Sequence, residues 1–324
     1  MTTLLEQRYR TALRLLPSYY RAEREEEMVE TYLHGIDEQD RDEMRPAWGE
    51  VAGIAALALR TRMGTAGAPA RYATLGATVR LFALLSVLLH AASALTEQAI
   101  LLTWFHGAPA RYRELFLGGS TGHGTAPGLY EAALWLLPLA WTVAYLALLR
   151  DHRRTAFTFA VLAALPDLAA VIRHSVALSL TTAALAWLTV LALCCGFHRD
   201  APRARLPLAP PGLALLGTSA FIAALTMLWP GMADAGGAAG SAYIAAATVC
   251  LVARRRSPKR VADPELPLAL ATLGLALLVQ RTLTLAFQVQ DHTPSSLITA
   301  SAVQAGIIAL LAAALIRSAF CGRV

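Results

Sequence analysis

Arg281 stands inside an apolar run, Leu266–Phe287, that is long enough to cross a bilayer. A guanidinium there keeps its proton at any ordinary pH, so it must reach water, an anion or a cavity. Gly274, Arg281, Thr284 and Gln288 fall near one face of a helix, which makes the charge part of a polar stripe. Asp167, directly after Pro166 in another apolar run, is the carboxylate nearest in depth. Counted from the inner ends of their runs, Asp167 lies at roughly 18 Å and Arg281 at roughly 22 Å. Glu97 and Glu131, near the outer ends of other runs, are alternative partners. Gln304 and Ser301 form a weaker stripe on the last run. Such groups form either an ion or solute pathway or a structural pair that fixes helix order. No repeated acidic pattern of a proton relay occurs, which favours the structural role.

Other reactive residue types are present without the spacing that chemistry needs. His106, His123, His174 and His292 fall at or beyond the outer ends of runs, with Glu114 and Asp291 nearby in sequence, but follow no ligand motif. No metal and no cofactor are therefore expected. Cys194, Cys195, Cys250 and Cys321 form no CxxC or Cys/His pattern, and read as small apolar packers in a reducing compartment. Nucleotide-binding glycine loops, HExxH and paired acidic motifs are missing, so no enzymatic activity is expected. An ATP-driven transporter would need a separate ATPase subunit.

These residues must be positioned by membrane helices. The 324 residues are 56% apolar and only 15% charged, with a mean hydropathy of +0.49. Soluble domains are about 45–50% apolar and about a quarter charged. Candidate spans are Val79–Trp104, Gly128–Leu149, Thr155–Ile172, Ser175–Phe197, Leu208–Trp229, Gly236–Ala253, Leu266–Phe287 and Ser296–Ile316. The third and sixth are short, which leaves six or seven as alternatives to eight. Gly236 and Gly240 give a G-x-x-x-G spacing at the start of the sixth span, where small residues let helices approach closely. The neighbour is another span of this chain or, in a homo-oligomer, a second copy; packing within the chain is favoured.

Charge sets the orientation. Arg150, Arg153 and Arg154, then Arg199, Arg203 and Arg205, then Arg254, Arg255, Arg256, Lys259 and Arg260 cluster in alternate connectors, and Arg317 and Arg323 lie at the C-terminal end. The opposite side receives Arg111, Arg113 and Arg173. Basic residues favour the cytoplasmic side, so both termini are expected inside and the span count is even. The basic excess is thus a topology signal; no basic face for nucleic acid is present.

Residues 1–64 read differently. Thr3 and Glu6 give a capping-box spacing, and no apolar run of a cleavable signal precedes Arg24. Three amphipathic helices are expected, broken at Pro17 and by the charged connector Asp37–Glu43, with Pro46 in the first turn of the third. Their shared core is assigned to Tyr9, Leu13, Leu16, Tyr20, Met28, Trp48 and Val51. Arg21 to Arg24 and Glu25 to Glu27 are left for contacts.

The stretch Tyr9-Arg10-Thr11-Ala12-Leu13-Arg14-Leu15-Leu16-Pro17-Ser18-Tyr19-Tyr20-Arg21-Ala22, followed by Glu26-Glu27-Met28, resembles the N-terminal segment of a group of actinobacterial multi-span membrane proteins of unknown activity. Arg45-Pro46-Ala47-Trp48-Gly49-Glu50-Val51, running on to Arg60 and Gly64, is similar to the second half of that segment. The same residues loosely resemble helical signalling domains beside PadR-type regulators and permease prefix domains. The resemblance implies a cytoplasmic helical module joined to a membrane domain, and transfers no ligand or catalytic residue.

The expected fold is an all-α, polytopic helical membrane protein with about eight transmembrane helices and a small N-terminal cytoplasmic three-helix module. Residues 1–64 form the module, 65–78 a linker into the membrane, 79–317 the bundle and 318–324 a cytoplasmic tail. The leading function is a regulator or sensor in the cytoplasmic membrane, signalling through helices that bind a cytoplasmic partner such as a transcription regulator. The alternative is a permease subunit or small-solute transporter with a polar seam at Arg281 and Asp167.

Overall fold

The computed structural model describes residues 4–34, 45–65, 67–107, 136–174, 177–198, 235–256, 264–290 and 295–321. Among these, 91% are helical and no strand occurs. Helices satisfy their backbone groups internally, which apolar runs in lipid require. Five of the described helical segments are long and apolar enough to cross a membrane: Ala70–Gln98, Arg153–Ile172, Ser179–Gly196, Glu265–Gln290 and Ile298–Phe320. The expected run Leu208–Trp229, the connector Asp37–Glu43, and Thr3, Glu131, His123 and His292 lie outside the described residues.

The chain divides into two compact units, Met1–Arg80 with Cys195–Ala204, and Leu81–Cys194 with Arg205–Val324. The first contains α1 (Leu4–Leu13), α2 (Ser18–His34), α3 (Trp48–Arg62) and the opening turns of α4 (Ala70–Gly107). Pro17 begins α2 rather than merely ending α1: its carbonyl accepts the N–H groups of Tyr20 and Arg21, both at 3.1 Å. The Glu50 carboxylate accepts the Ala47 N–H at 2.8 Å and closes the start of α3. Pro46 therefore precedes the helix instead of lying in its first turn.

The apolar side chains of α1 to α3 converge on Tyr9, Leu13, Leu16, Val29, Ile54 and Ala58. Tyr20 and Met28 pack at the edge of this core, and Val51 is half-buried. Trp48, expected inside it, is 89% exposed. The third helix, WGEVAGIAALALRTR, is apolar nearly all round, so its sequence does not mark one face; the buried face runs through Ile54, Ala58 and Thr61. Polar contacts tie the ends together. Tyr19 Oη donates to the Thr61 carbonyl at 2.8 Å, and Arg62 donates to the Leu15 carbonyl at 2.9 Å. Arg10 holds Glu26 with two parallel bonds of 2.9 and 2.8 Å and Glu6 with a third of 2.9 Å.

The link between α3 and α4 is shorter than the expected 65–78. Gly64 takes a left-handed φ of 81°, and a Cβ there would lie 2.9 Å from the Tyr72 carbonyl oxygen, so glycine is required. The Pro69 carbonyl accepts the N–H groups of Tyr72 and Ala73, starting α4 at Ala70. Residues 70–78 mix good helix formers (Ala, Arg, Leu) with Tyr, Thr and Gly and are of moderate polarity, which a hydropathy criterion passes over.

The second unit is built from the rest of α4, the short turn of helix Leu137–Leu139 leading into α5 (Ala140–Leu149), then α6 (Arg153–His174), α7 (Ala177–Gly196), α8 (Ala235–Arg256), α9 (Glu265–Gln290) and α10 (Ser295–Cys321). Asp151 makes the sharp turn from α5 to α6 in a left-handed conformation, and its carboxylate receives Arg153 Nε at 3.0 Å. The most extensive packing joins α9 with α10, then α5 with α6 and α8 with α10. Helix α8 is not among these five, and its last turn carries Arg254, Arg255 and Arg256. Helix α10 continues through Cys321, into the stretch expected to be a tail.

Candidate functional site

A cavity of about 160 Å³ opens within the second unit, lined from α4, α5, α6, α7 and α9 with smaller contributions from α8 and α10. Helix α4 places His90, Ser93 and Glu97 on it. Their i, i+3, i+7 spacing puts them on one helical face, extending about 10 Å along the axis. Helix α9 contributes Gln280, Arg281 and Thr284 by the same periodicity. Helix α6 brings Asp167, one residue beyond Pro166, whose ring removes a backbone N–H from the helix.

The structure thus brings Arg281, Asp167, Thr284 and Glu97 to one place. Arg281 is 7% exposed, so its guanidinium is sheltered by protein. Glu97 and Asp167 are close enough for their carboxyl groups to interact electrostatically. The Thr284 hydroxyl donates to the Gln280 carbonyl of its own helix at 3.0 Å, and that of Thr182 donates to Ser179 at 3.0 Å. Gln288 is half-buried on the same helix, outside the cavity lining and about two turns beyond Arg281. Gln304 lines a separate open groove with Ser241, Ser296 and Thr299, where its Nε2 donates to the Ser241 hydroxyl at 3.2 Å. Gly240, the second glycine of the G-x-x-x-G spacing, lies directly against that Gln304 side chain.

His90 and Trp141 are the members that sequence reasoning missed. Their rings stack with centroids 4.5 Å apart and an interplanar angle of 15°. His90 hydrogen-bonds the backbone of Leu185, while its Nε2 is buried without a hydrogen-bond partner. The signal was the spacing of His90, Ser93 and Glu97 within the first apolar run. Among the described residues no group of three His, Cys, Asp or Glu side chains is placed to hold a metal ion. Cys194, Cys195 and Cys250 form no disulfide, and only Cys250 of the three is buried.

Comparison with known protein families, curated protein sequences and solved structures finds no match to this chain. The cavity's own chemistry is therefore what speaks to function. Among the described residues it combines two carboxyl groups, a guanidinium, a histidine nitrogen and an aromatic wall.

Proposed function

We propose that this chain is a multi-span protein of the cytoplasmic membrane that binds a small polar solute within its helical bundle, as a transporter or permease subunit does. The observation that carries this reading is the convergence of Arg281, Asp167, Glu97 and His90 on one cavity. Ionisable side chains in apolar spans are costly, and a cavity that gathers four of them suits a polar guest. Its volume is comparable to the roughly 150 Å³ of an engineered cavity that accepts benzene, so the guest has about six non-hydrogen atoms.

Eight spans with both termini cytoplasmic belong to this reading, supported by the arginine-rich connectors. Reporter fusions after Arg154, Arg205, Arg260 and Val324 are expected to read cytoplasmic, and fusions near Ser120, Gly237 and Thr293 outside. A cytoplasmic signal at Ser120 overturns the orientation. The solute site is tested by thermal unfolding of the full chain in detergent against amines, carboxylates, amino acids, sugars and monovalent salts. A ligand that binds the native state raises the midpoint with concentration. Protection that survives Asp167→Asn and Glu97→Gln together would place the solute elsewhere.

A second reading, a membrane-anchored regulator, is favoured by one observation. Trp48 exposes most of its ring on a helical unit that has a core without it. Exposed tryptophan is a common anchor of protein interfaces. A cytoplasmic protein partner, such as a transcription regulator, would bind there, in keeping with the resemblance of residues 9–28 and 45–64 to signalling and permease prefix segments. Loss of a co-purifying partner on Trp48→Ala supports this role; retention of all partners removes it.

A further inference from the structure

We propose that the outer face of α3 rests on the bilayer that α4 enters, against anionic lipid headgroups. This goes beyond the solute-binding reading and does not depend on it; it competes with a protein partner for the same face. Helix α3 turns Ile54, Ala58 and Thr61 inward. On its other side Trp48, Ala52, Ala55, Ala56 and Leu59 are exposed, at the i, i+4, i+7, i+8 and i+11 positions of one stripe. A Cβ added at Gly49 or Gly53, beside that stripe, would meet nothing within 4 Å. An apolar face four turns long thus stands open on a unit whose core is complete without it.

Place points to lipid as the occupant. Gly64 lies against the Tyr72 carbonyl and Gly76 against Met63, so the end of α3 is pinned to the first two turns of α4. The candidate span Ala70–Gln98 has 29 residues, about 43 Å of helix against roughly 30 Å of hydrocarbon. The excess falls in the headgroup layer, and the first turn carries Arg71 and Tyr72, residue types that favour that layer. The Arg71 guanidinium lies 4.6 Å from the centre of the Tyr72 ring, and Tyr19 of α2 packs its own ring 5.2 Å from it. A helix of 15 residues pinned at this entry is about 22 Å long, so all of α3 stays within reach of the headgroups. Trp48 suits the boundary between hydrocarbon and water.

Charge points the same way. Arg60 and Arg62 flank the stripe on either side at one end, Arg45 stands before the other, and all three are exposed. Their stems can lie along apolar surface while the guanidinium groups meet phosphates. The one carboxylate of α3, Glu50, is turned to the Ala47 N–H and to Tyr32. The acidic residues belong to α2, which buries Val29 in the shared core and exposes Glu23, Glu27 and Glu30. Apolar and basic on α3, acidic on α2, the unit has the asymmetry of a domain lying on an anionic surface. A second copy seated on this face would bring arginines against arginines, with no free carboxylate on either stripe to answer them.

The experiment uses the full chain in lipid nanodiscs, with a nitroxide attached at Ala52→Cys or Ala56→Cys on the stripe, or at Glu27→Cys on α2. Cys194→Ala, Cys195→Ala, Cys250→Ala and Cys321→Ala clear the background. The three labelled positions are exposed, so the label leaves the core intact. Collision with oxygen, which partitions into lipid, is compared with collision with a water-soluble nickel chelate. In discs containing phosphatidylglycerol, both stripe positions are expected to favour oxygen, and Glu27→Cys the chelate. Arg60→Gln should lower the ratio of lipid-facing to water-facing label on the stripe by about fivefold, the effect of one basic residue near an anionic surface. In discs of phosphatidylcholine alone the same substitution should do little. A stripe open to the chelate in both lipids overturns the proposal and leaves the face to a soluble protein partner. Labels shielded from both reagents, with dipolar broadening that disappears on dilution with unlabelled chain, overturn it in favour of a second copy. An Arg60→Gln effect equal in the two lipids overturns the anionic headgroup as what the arginines meet.

Discussion

The phenol of Tyr243 on α8 occupies the space next to Gly274 on α9 where a side chain at residue 274 would begin. Tyr243 is 2% exposed and Gly274 is buried, so neither has room to yield easily. Gly274→Ala is expected to lower stability in detergent by about 1–3 kcal/mol, the usual cost of overpacking. Tyr243→Phe should recover only part of the loss, since the ring carbon that bears the hydroxyl is also too close. Thermal unfolding of the single and double variants measures both. A neutral Gly274→Ala would show that the two helices are not held at this spacing.

Burial ranks the side chains of the N-terminal helices differently from their size. Leu13 is fully buried at the centre of the α1 to α3 core, whereas Trp48 is 89% exposed. Leu13→Ala should cost about 2–5 kcal/mol. Trp48→Ala should stay within about 0.5 kcal/mol, as surface substitutions usually do. Chemical denaturation followed by far-UV circular dichroism separates the two. The reverse order would place Trp48 against a surface that the isolated chain does not show.

The contrast also marks how far the sequence could be read. Arg281 and Asp167 stood out because a charge interrupts an apolar run, and their depths could be counted along two helices. His90 did not stand out, because a single imidazole barely changes the hydropathy of its run, and its meaning comes from Trp141 about fifty residues away. The phase of α3 was misread for a related reason. Its largest residue, Trp48, suggested a face, but alanines and leucines all round the helix leave the choice to packing against Leu13 and Val29. Glu26 and Arg10 were visible as charges; which of the acidic residues Arg10 would grip depends on how α1 lies on α2.

Two titrations should report the packing of the N-terminal helices. Tyr32 stacks on Tyr9 with centroids 4.0 Å apart, and burial, aided by Glu50, pushes its phenol up to about 12. A phenol kept neutral by the fold contributes stability that is fully present below pH 10.0 and lost as pH rises through about 12. Phenolate absorbance should therefore show a late-rising component, which Glu50→Gln moves down while the amide keeps the α3 cap. At the acid end, the bond from Arg10 holds the Glu26 carboxyl below its usual range. Its contribution is present above pH 4.5 and lost as pH falls through the lowered value. Glu26→Gln should flatten that acid limb; an unchanged limb would mean that the Arg10 contact is absent in solution.

Arg281 and Asp167 line one cavity from α9 and α6, and Glu97 adds a second carboxyl group from α4. The two carboxyl groups interact with one another, and Arg281 lines the same cavity from a third helix. Arg281→Ala is expected to lower stability in detergent, since it removes a buried cation from a cavity that holds two carboxyl groups. Asp167→Asn alone should cost less, because it removes one of two carboxyl groups that act on one another. In the double variant the carboxyl left behind by Arg281→Ala is neutral, so part of the loss should return. The coupling between the two sites, read from the four unfolding midpoints, should lie in the range of about 0.5–3 kcal/mol found for residues sharing a network. Strict additivity would show that Arg281 and Asp167 meet the cavity independently. Arg281→Lys sharpens the test: it keeps the charge and loses the planar fork. Stability near that of the unaltered chain would mean that charge alone is needed for folding.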